Sequence, residues 1–444
     1  MISSGTSNRR VAITGLGVVS PIGNTVAELW DALLNGRSGV APLQLLPPLD
    51  GIVHYGGEAS DFTGKIDDFG ELPKDKKKAI RKALKVMCRE TMMAVSAAQE
   101  AVADAGYAET PMEPQRSGVV FGSDYMLSPP IDFADGMVKC GVDDASPNGG
   151  FVYDQWGDDG LDEMNPLWML KYLPNMPGSH IAIFNDLRGP NNSLTLREVS
   201  GTMAIREAAQ TIARGHADRM IAGSTGTRIH SFKTIHATQT EQLADPSLPP
   251  AEACRPFDAN RTGMVIGEGA GAIVLEELES ARARGATIYA EVVGTSSSTV
   301  TDGNMHAKPV EAIANAAQAA LTDAGMSPDQ LGHINAHGLG TTESDASEAQ
   351  ALAKALGETA SRVPVAAAKS YFGNLGAASG VVELIASTKA LQEQKLFRTL
   401  NYDSADAECP LAVSTEDSIS PGTSFLKLSV TPQAQASALV IKSL

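Results

Sequence analysis

The sequence predicts an α/β protein built from two similar halves, and two observations lead to this fold class. Short apolar segments typical of buried strands alternate with Ala-rich segments typical of helices, a pattern that favours mixed, mostly parallel sheets sandwiching helices. In addition, AVSAAQEAVADAG at 94–106 matches IANAAQAALTDAG at 313–325 in seven of thirteen positions. The two matching segments lie 219 positions apart (313 − 94), which is the spacing of a duplicated half of the chain. We therefore predict halves at 1–255 and 256–444.

The composition is that of a globular protein of 444 residues. Lys and Arg number 35 against 52 Asp and Glu, which leaves a net charge of −17 and argues against general binding to nucleic acid or anionic membranes. The sequence contains no C-x-x-C spacing, no basic segment followed by an apolar core and no long apolar run. We therefore expect a cytoplasmic protein with reduced cysteines, no metal and no cofactor.

The elements of the first half follow from local patterns. A buried strand is expected from Val11. Gly15 and Gly17 follow it, but the third glycine of a dinucleotide-binding loop is missing, so no such loop is expected. Thr25 with Glu28 predicts a capped helix. Further predicted elements are a basic and then Ala-rich helical segment at 74–106, strands at 117–123 and 220–223, and an irregular acidic insertion at 132–163 with little metal-binding character.

The stretch 181–215 organises the chain. Its apolar beginning predicts a strand, Gly189 with Pro190 predicts a turn, and the Gly/Ala-rich remainder predicts a buried helix. The first N–H groups of a helix are unpaired and carry partial positive charge, so they stabilise an anionic or nucleophilic group. Glu198 is the candidate for this position.

This stretch resembles the β-ketoacyl-acyl-carrier-protein synthases, condensing enzymes of the thiolase fold. Their pattern runs Gly-Pro-Asn, then Ser, then the catalytic cysteine nine positions after the Gly. Counting from Gly189 through Asn191 and Ser193 ends on Glu198. The RPFD run at 255–258 and GEGAG at 267–271 strengthen the resemblance, which implies a thiolase-like five-layer α-β-α-β-α fold.

The second half resembles the same family at its two histidine loops. His337 lies in NAHGLGT, similar to the family's N-A-H-G-T-G-T, and Asp345 and Glu348 fall at its acidic positions. Lys369 matches the K-S-x-x-G-H loop, but Asn374 replaces the second histidine. The resemblance implies that His337 and Asn374 donate hydrogen bonds to a thioester oxygen.

Two further features concern entry and docking. The segment 428–436 replaces the family's glycine-rich gate and contains no glycine. Lys77, Lys78 and Arg81 form a cationic segment that suits an acidic acyl carrier protein, although a solvated helix face is the simpler interpretation. With Thr341, they are the predicted substrate or carrier contacts.

A carboxylate at position 198 blocks the usual acyl-thioester route, because it forms only an unstable mixed anhydride. The residues leave two classes open. The chain is a chain-length-factor-like partner in fatty-acid or polyketide synthesis, or an acyl-thioester decarboxylase or hydrolase that uses Glu198 as acid or base. Ordinary 3-oxoacyl synthase activity through an unconventional site, such as Ser193 or Ser200, is a weaker alternative. A homodimer is the default, and a heterodimer with a Cys-bearing ketosynthase is the alternative.

Overall fold

A computed structural model describes residues 9–46, 54–108, 110–141, 150–416 and 419–444. The strands are β1 Val11–Val19, β2 Val40–Pro42, β3 Tyr55–Gly57, β4 Ser117–Ser123, β5 Asn191–Leu194, β6 Arg219–Thr227, β7 Glu268–Glu277, β8 Ala290–Thr299, β9 His333–Asn335, β10 Val365–Ala366, β11 Ser424–Val430 and β12 Gln435–Lys442.

The helices are α1 Val26–Leu34, α2 Lys74–Ala83, α3 Arg89–Asp104, α4 Ile131–Lys139, α5 Trp168–Lys171, α6 Met176–Asn185, α7 Ser200–Ala213, α8 Ser231–Thr240, α9 Leu278–Ala283, α10 Pro309–Ala324, α11 Thr342–Leu356, α12 Lys369–Phe372 and α13 Ser379–Glu393. Thr25 caps α1 as predicted, since its side chain accepts the Glu28 N–H at 3.2 Å. In the described part of the chain, no helix has the length and apolar character needed to cross a membrane.

Ten strands form one mixed sheet in the order β10-β9-β11-β12-β8-β1-β7-β6-β4-β5. The two central strands, β1 and β8, are antiparallel and pair over only two positions. Outward from this junction, each side has two antiparallel pairings followed by two parallel ones. The two halves of the sheet therefore have the same architecture.

The sequence repeat corresponds to equivalent helices, α3 on β1 and α10 on β8. A Cβ on Gly15 of β1 would lie 2.2 Å from the Ala101 carbonyl oxygen, and a Cβ on Gly294 of β8 would lie 2.2 Å from that of Ala320. Ala101 and Ala320 are matched positions of the repeat. Only glycine permits this close approach, so the duplication extends to the packing. The boundary near residue 255 stays a prediction.

The hydrophobic cores lie in layers around the sheet. Helices α7 and α13 pack in the middle against strands of both halves, α3 and α6 cover the first half from outside, and α10 and α11 cover the second. This gives the predicted α-β-α-β-α arrangement, which places the N-terminus of α7 deep inside the molecule.

Three predictions about elements need correction. The apolar run beginning at Ile181 belongs to helix α6 rather than to a strand, and the strand of this region is the polar β5. The insertion at 132–163 is not wholly irregular, because it contains most of α4 and short helical turns, while 142–149 lie outside the described residues. Parallel pairing does not dominate the sheet, because parallel pairs are confined to its outer strands.

Candidate functional site

Glu198 lies where the sequence predicted, at the turn that leads into α7. After β5, a short 3₁₀ turn spans Arg197–Val199, and α7 begins at Ser200. Arg197 has a φ of 51°, a left-handed conformation uncommon outside glycine, which makes the turn sharp. The turn buries Glu198, which is only 1% exposed.

The Glu198 carboxylate belongs to a buried cluster of two acids and two arginines. Its Oε1 contacts the guanidinium of Arg228, and its Oε2 lies 3.6 Å from Arg197 Nε. Glu241 joins the same arginines, with Oε1 2.9 Å from Arg228 and 2.7 Å from Arg197. The cluster is formally neutral as a whole, so its four charges compensate one another in a region with little water.

This cluster determines the protonation state of Glu198. Burial raises the pKa of this carboxyl, but Arg228 and Arg197 outweigh burial and hold the pKa below its ordinary value. Glu198 is therefore ionised at neutral pH. The sequence analysis missed Arg228; the available signal was the need of any buried acid for a buried cation, and Arg228 directly follows the buried strand β6.

Asn374 contacts Glu198 rather than an open space. Its Nδ2 lies 3.3 Å from Glu198 Oε1 and 3.0 Å from the Met264 sulfur. Its Oδ1 accepts hydrogen bonds from the Gly376 N–H and the Ser379 hydroxyl, both at 3.1 Å. The Asn374 amide nitrogen thus already contacts two acceptors, and its donation to a thioester oxygen stays a prediction.

His337 follows β9 and presents a neutral imidazole. Lys369 Nζ lies 3.3 Å from His337 Nδ1, and it also donates to the His337 carbonyl oxygen at 2.7 Å and to Glu383 at 2.7 Å. Because an ammonium group can only donate, Nδ1 is the acceptor and the ring proton lies on Nε2. Burial and the neighbouring Lys369 lower the pKa of His337 well below its usual range. The ring therefore offers an uncharged Nε2–H donor.

Asp345 and Glu348 hold the histidine loop through its backbone. Glu348 accepts hydrogen bonds from the N–H groups of His337 and Gly338 at 2.7 and 2.8 Å. Asp345 accepts the Leu339 N–H at 2.9 Å. Neither carboxylate lines the cavity described below. These two acids therefore act as positioning residues.

Asp345 is expected to make stability depend on pH. Burial raises the pKa of this carboxyl to about 7, although backbone N–H donors and Arg261 act in the opposite direction. Between about pH 4 and 7 the folded protein keeps a proton that the unfolded chain has lost. The contribution of Asp345 to the free energy of unfolding therefore falls as pH rises, by at most about 1.4 kcal/mol per pH unit.

Urea denaturation of the wild type and Asp345→Asn at about pH 5, 6 and 7 checks this expectation, because the stability advantage of the wild type should shrink as pH rises. A difference that stays constant across this range would contradict it.

A second buried ion cluster supports Lys369. Glu383 of α13 pairs with Lys369 and with Lys427 of β11, and all three side chains are almost completely buried. Burial lowers the pKa of Lys427 to about 8, and the nearby Lys369 adds to this effect. Glu383 and Lys427 were also missed by the sequence analysis; their signal was a charge inside an otherwise apolar run.

A cavity of about 240 Å³ lies in front of Glu198 and His337. Its described lining contains three carboxylates and no lysine or arginine; the lining residues are Glu198, Thr240, Glu241, Gln242, Pro309, Ile313, His337, Leu339, Thr341, Glu343, Ser344, Ser347, Val430, Thr431 and Pro432. Thr341 also caps α11 by accepting the Ser344 N–H at 3.3 Å. The segment 428–436 contributes the turn between β11 and β12 to this lining.

The predicted carrier contacts on α2 lie apart from this cavity. Lys77 pairs with Asp67 at 2.9 Å, and Lys78 and Arg81 are exposed. None of the three lines the cavity. The structure therefore brings Glu198, His337 and Thr341 together at one cavity and places the basic residues on a separate surface.

The four cysteines and the two candidate serines, Ser193 and Ser200, are absent from the described lining of the cavity. The four cysteines are buried elsewhere, and burial raises the pKa of Cys254, whose sulfur contacts the Lys369 carbonyl oxygen, to about 12. The hydroxyls of Ser193 and Ser200 donate to the backbone oxygens of Pro174 and Ser123. The described residues also contain no group of three or more His, Cys, Asp or Glu arranged to hold a metal ion.

The chain matches known proteins over most of its length. The β-ketoacyl synthase N-terminal domain matches residues 8–281, and the corresponding C-terminal domain matches 289–403. The 3-oxoacyl-[acyl-carrier-protein] synthase 2 of Synechocystis sp. is 33% identical over 91% of this chain and 90% of its own length. The enzyme of the same name from Staphylococcus aureus strain COL is 34% identical over 91% of each chain.

Solved structures extend the likeness. The ishigamide ketosynthase/chain length factor aligns with a TM-score of 0.81 and 26% identity over 99% of this chain and all of that one. A type II polyketide synthase acyl carrier protein in complex with its ketosynthase aligns with a TM-score of 0.79 and 26% identity, with the same coverage. A β-ketoacyl synthase from Burkholderia phymatum STM815 aligns with a TM-score of 0.83 and 27% identity over 98% of this chain and all of that one. The thiolase-like fold is thereby confirmed, and the chain belongs to the β-ketoacyl synthase family.

Proposed function

We propose that this chain is a non-condensing, chain-length-factor-like partner of an active ketosynthase in fatty-acid or polyketide synthesis. The observation that carries the proposal is the ionised Glu198 paired with Arg228 at the tip of the turn where the family places its nucleophile. The neighbouring structures named for a ketosynthase/chain length factor and for a ketosynthase with its acyl carrier protein support it.

The chemistry of the site opposes condensation at two steps. A carboxylate held by two arginines is a weak nucleophile, and its acyl product would be a mixed anhydride higher in energy than the incoming thioester. Decarboxylation of an extender unit then lacks one of the two expected donors, because the Asn374 amide already donates to Glu198 and Met264. His337 alone would stabilise an enolate, beside three carboxylates in the cavity wall.

Exposed apolar side chains on four helices, together called the apolar surface, support a protein partner. They belong to α4, α5, α6 and α8 and are about half to three-quarters exposed, namely Ile131, Val138, Met169, Ile183 and Phe232. The polar strand β5 forms one edge of the ten-stranded sheet, and edge strands can pair with another chain. Apolar patches and open edges of this kind mark protein interfaces.

Mixing the chain with a Cys-bearing ketosynthase paralogue and measuring mass by light scattering tests the proposal. We expect a one-to-one complex at micromolar concentration that Val138→Lys with Ile183→Lys weakens at least about tenfold, since buried unpaired charges are costly at an interface. Met305→Lys is the matched control, because Met305 is an equally exposed apolar residue outside this surface. A chain that forms only homodimers would overturn the partner assignment.

The second candidate is an acyl-thioester hydrolase or decarboxylase, and one observation favours it. Glu198 and the uncharged His337 line the same cavity, so a general base and a carbonyl-oxygen donor face one space. Release of free acid or carbon dioxide from acyl- or malonyl-carrier protein, lost in Glu198→Ala, would establish this activity and exclude the silent partner.

The basic segment on α2 is expected to steer an acidic carrier protein. Lys78→Glu with Arg81→Glu should reduce the association rate with acyl carrier protein about tenfold at low salt, because both side chains are exposed. Lys354→Glu on α11 changes the charge at an exposed site far along the sequence and serves as control. Stopped-flow binding measures the effect. Equal association rates for the wild type and all variants would show that the basic residues of α2 do not steer the carrier and only form a solvated helix face.

A further inference from the structure

Within the described residues, two polar atoms at the cavity have no protein hydrogen-bond partner, and one is an acceptor while the other is a donor. Glu198 Oε2 is buried and accepts no hydrogen bond; its nearest cationic atom, Arg197 Nε, lies 3.6 Å away. On the same cavity, His337 uses Nδ1 toward Lys369, and its Nε2–H donates to no group within the described residues. The cavity lining thus includes one residue with an unsatisfied charged acceptor and one residue with an uncharged donor.

Unsatisfied buried groups select their ligands strongly, because a ligand that leaves them unpaired forfeits the hydrogen bonds that they make with water. The donor of His337 suits the carbonyl oxygen of a thioester or amide. The acceptor of Glu198 requires a ligand group that donates. A 3-oxoacyl chain offers only a second acceptor there, and a malonyl group offers a second negative charge.

We infer that this cavity binds 3-hydroxyacyl thioesters in preference to 3-oxoacyl, malonyl and plain acyl thioesters. The carbonyl oxygen accepts from His337 Nε2–H, and the 3-hydroxyl donates to Glu198 Oε2. The cavity of about 240 Å³ is large enough for a short group of this kind. This inference rests on the proposed function. A chain that transferred the acyl group onto its own side chain would consume the thioester instead of binding it intact.

The negative lining adds to the discrimination. Glu198, Glu241 and Glu343 line the cavity, while Arg197 and Arg228 lie behind the carboxylates and do not. A ligand carboxylate would therefore meet carboxylate oxygens first. A neutral hydroxyl avoids this repulsion and gains a charge-assisted hydrogen bond.

Calorimetric titration with pantetheine amide analogues tests the inference without turnover. The probes are the two enantiomers of the 3-hydroxybutyryl amide, the butyryl amide, the acetoacetyl amide and the malonyl amide. We expect one hydroxybutyryl enantiomer to bind at least about tenfold more tightly than the butyryl amide, with the acetoacetyl and malonyl amides weakest.

Two variants separate the specific contact from general charge. Glu198→Gln offers an amide donor in place of an anion, so the preference for hydroxybutyryl over acetoacetyl should fall by about tenfold or reverse. Glu358→Gln removes one exposed carboxylate that does not line the cavity, and it should leave that preference unchanged. Circular dichroism confirms that both variants fold.

The outcomes distinguish this inference from the proposed function. Equal affinity for hydroxybutyryl and butyryl amides in the wild type would overturn the inference while a complex with a ketosynthase still stood. A hydroxyl preference in a chain that binds no ketosynthase would support the inference and overturn the partner assignment. An equal loss of preference in Glu198→Gln and Glu358→Gln would reduce the effect to general charge and also overturn the inference.

Discussion

The Arg228→Met variant is expected to lose about 3–5 kcal/mol in free energy of unfolding, the largest single-residue effect that we predict. Arg228 is the principal cation for Glu198 and also binds Glu241, and all three side chains are buried. Methionine retains most of the volume but leaves two carboxylates to share the partly exposed Arg197. Urea denaturation measures the loss.

Two comparison variants show whether the loss arises from unpaired charge. Adding Glu198→Gln to Arg228→Met removes one of the stranded carboxylates and should recover a substantial part of the lost stability. Arg188→Met breaks an exposed pair with Asp186 and should cost no more than about 1 kcal/mol. Equal losses for Arg228→Met and Arg188→Met would contradict the buried cluster.

The Glu198→Cys variant is expected to gain a covalent acyl adduct that the wild type does not form. A thiol at this position would lie at the N-terminus of α7 beside Arg228, where both lower its pKa and favour the thiolate. Exchange of an acyl group from one thioester to another is close to balanced in energy. Incubation with an acylated carrier protein transfers the acyl group to the cysteine and releases the carrier thiol, and intact-protein mass spectrometry detects the adduct.

The native cysteines provide an internal control for that experiment. Burial raises the pKa of Cys88, Cys254 and Cys409 to about 12, so these thiols stay protonated and unreactive at neutral pH. The wild type and Glu198→Ala should therefore show no added mass. An acyl adduct on the wild type would contradict the assigned role of Glu198.

The overall fold could be predicted because its signals are repeated along the chain. The match between 94–106 and 313–325 corresponds to equivalent helices, and the motif loops of both halves meet at one cavity. The misprediction at Ile181 has a physical cause. A short apolar run fits a buried helix as well as a buried strand, and the neighbouring polar strand β5, at the edge of the sheet, carries no apolar signal.

The site could be predicted only in part. Sequence pattern placed Glu198 at the helix terminus and His337 in its loop, because both positions depend on local motifs. The partner that sets the charge of Glu198, Arg228, comes from an element 30 positions away in the sequence (228 − 198). Long-range ion pairs of this kind leave no periodicity, so the protonation state of Glu198 required the structure.

The backbone hydrogen bonds of Asp345 and Glu348 give these two acidic residues a structural role in this chain. Both acids fold the loop that presents His337, so replacing either one would disturb the chain whether or not any substrate is ever turned over. The need for a correctly folded loop is then sufficient to account for both acids. Their presence here reflects the ancestry and fold that the chain shares with its family. It does not indicate whether the chain still turns over a substrate.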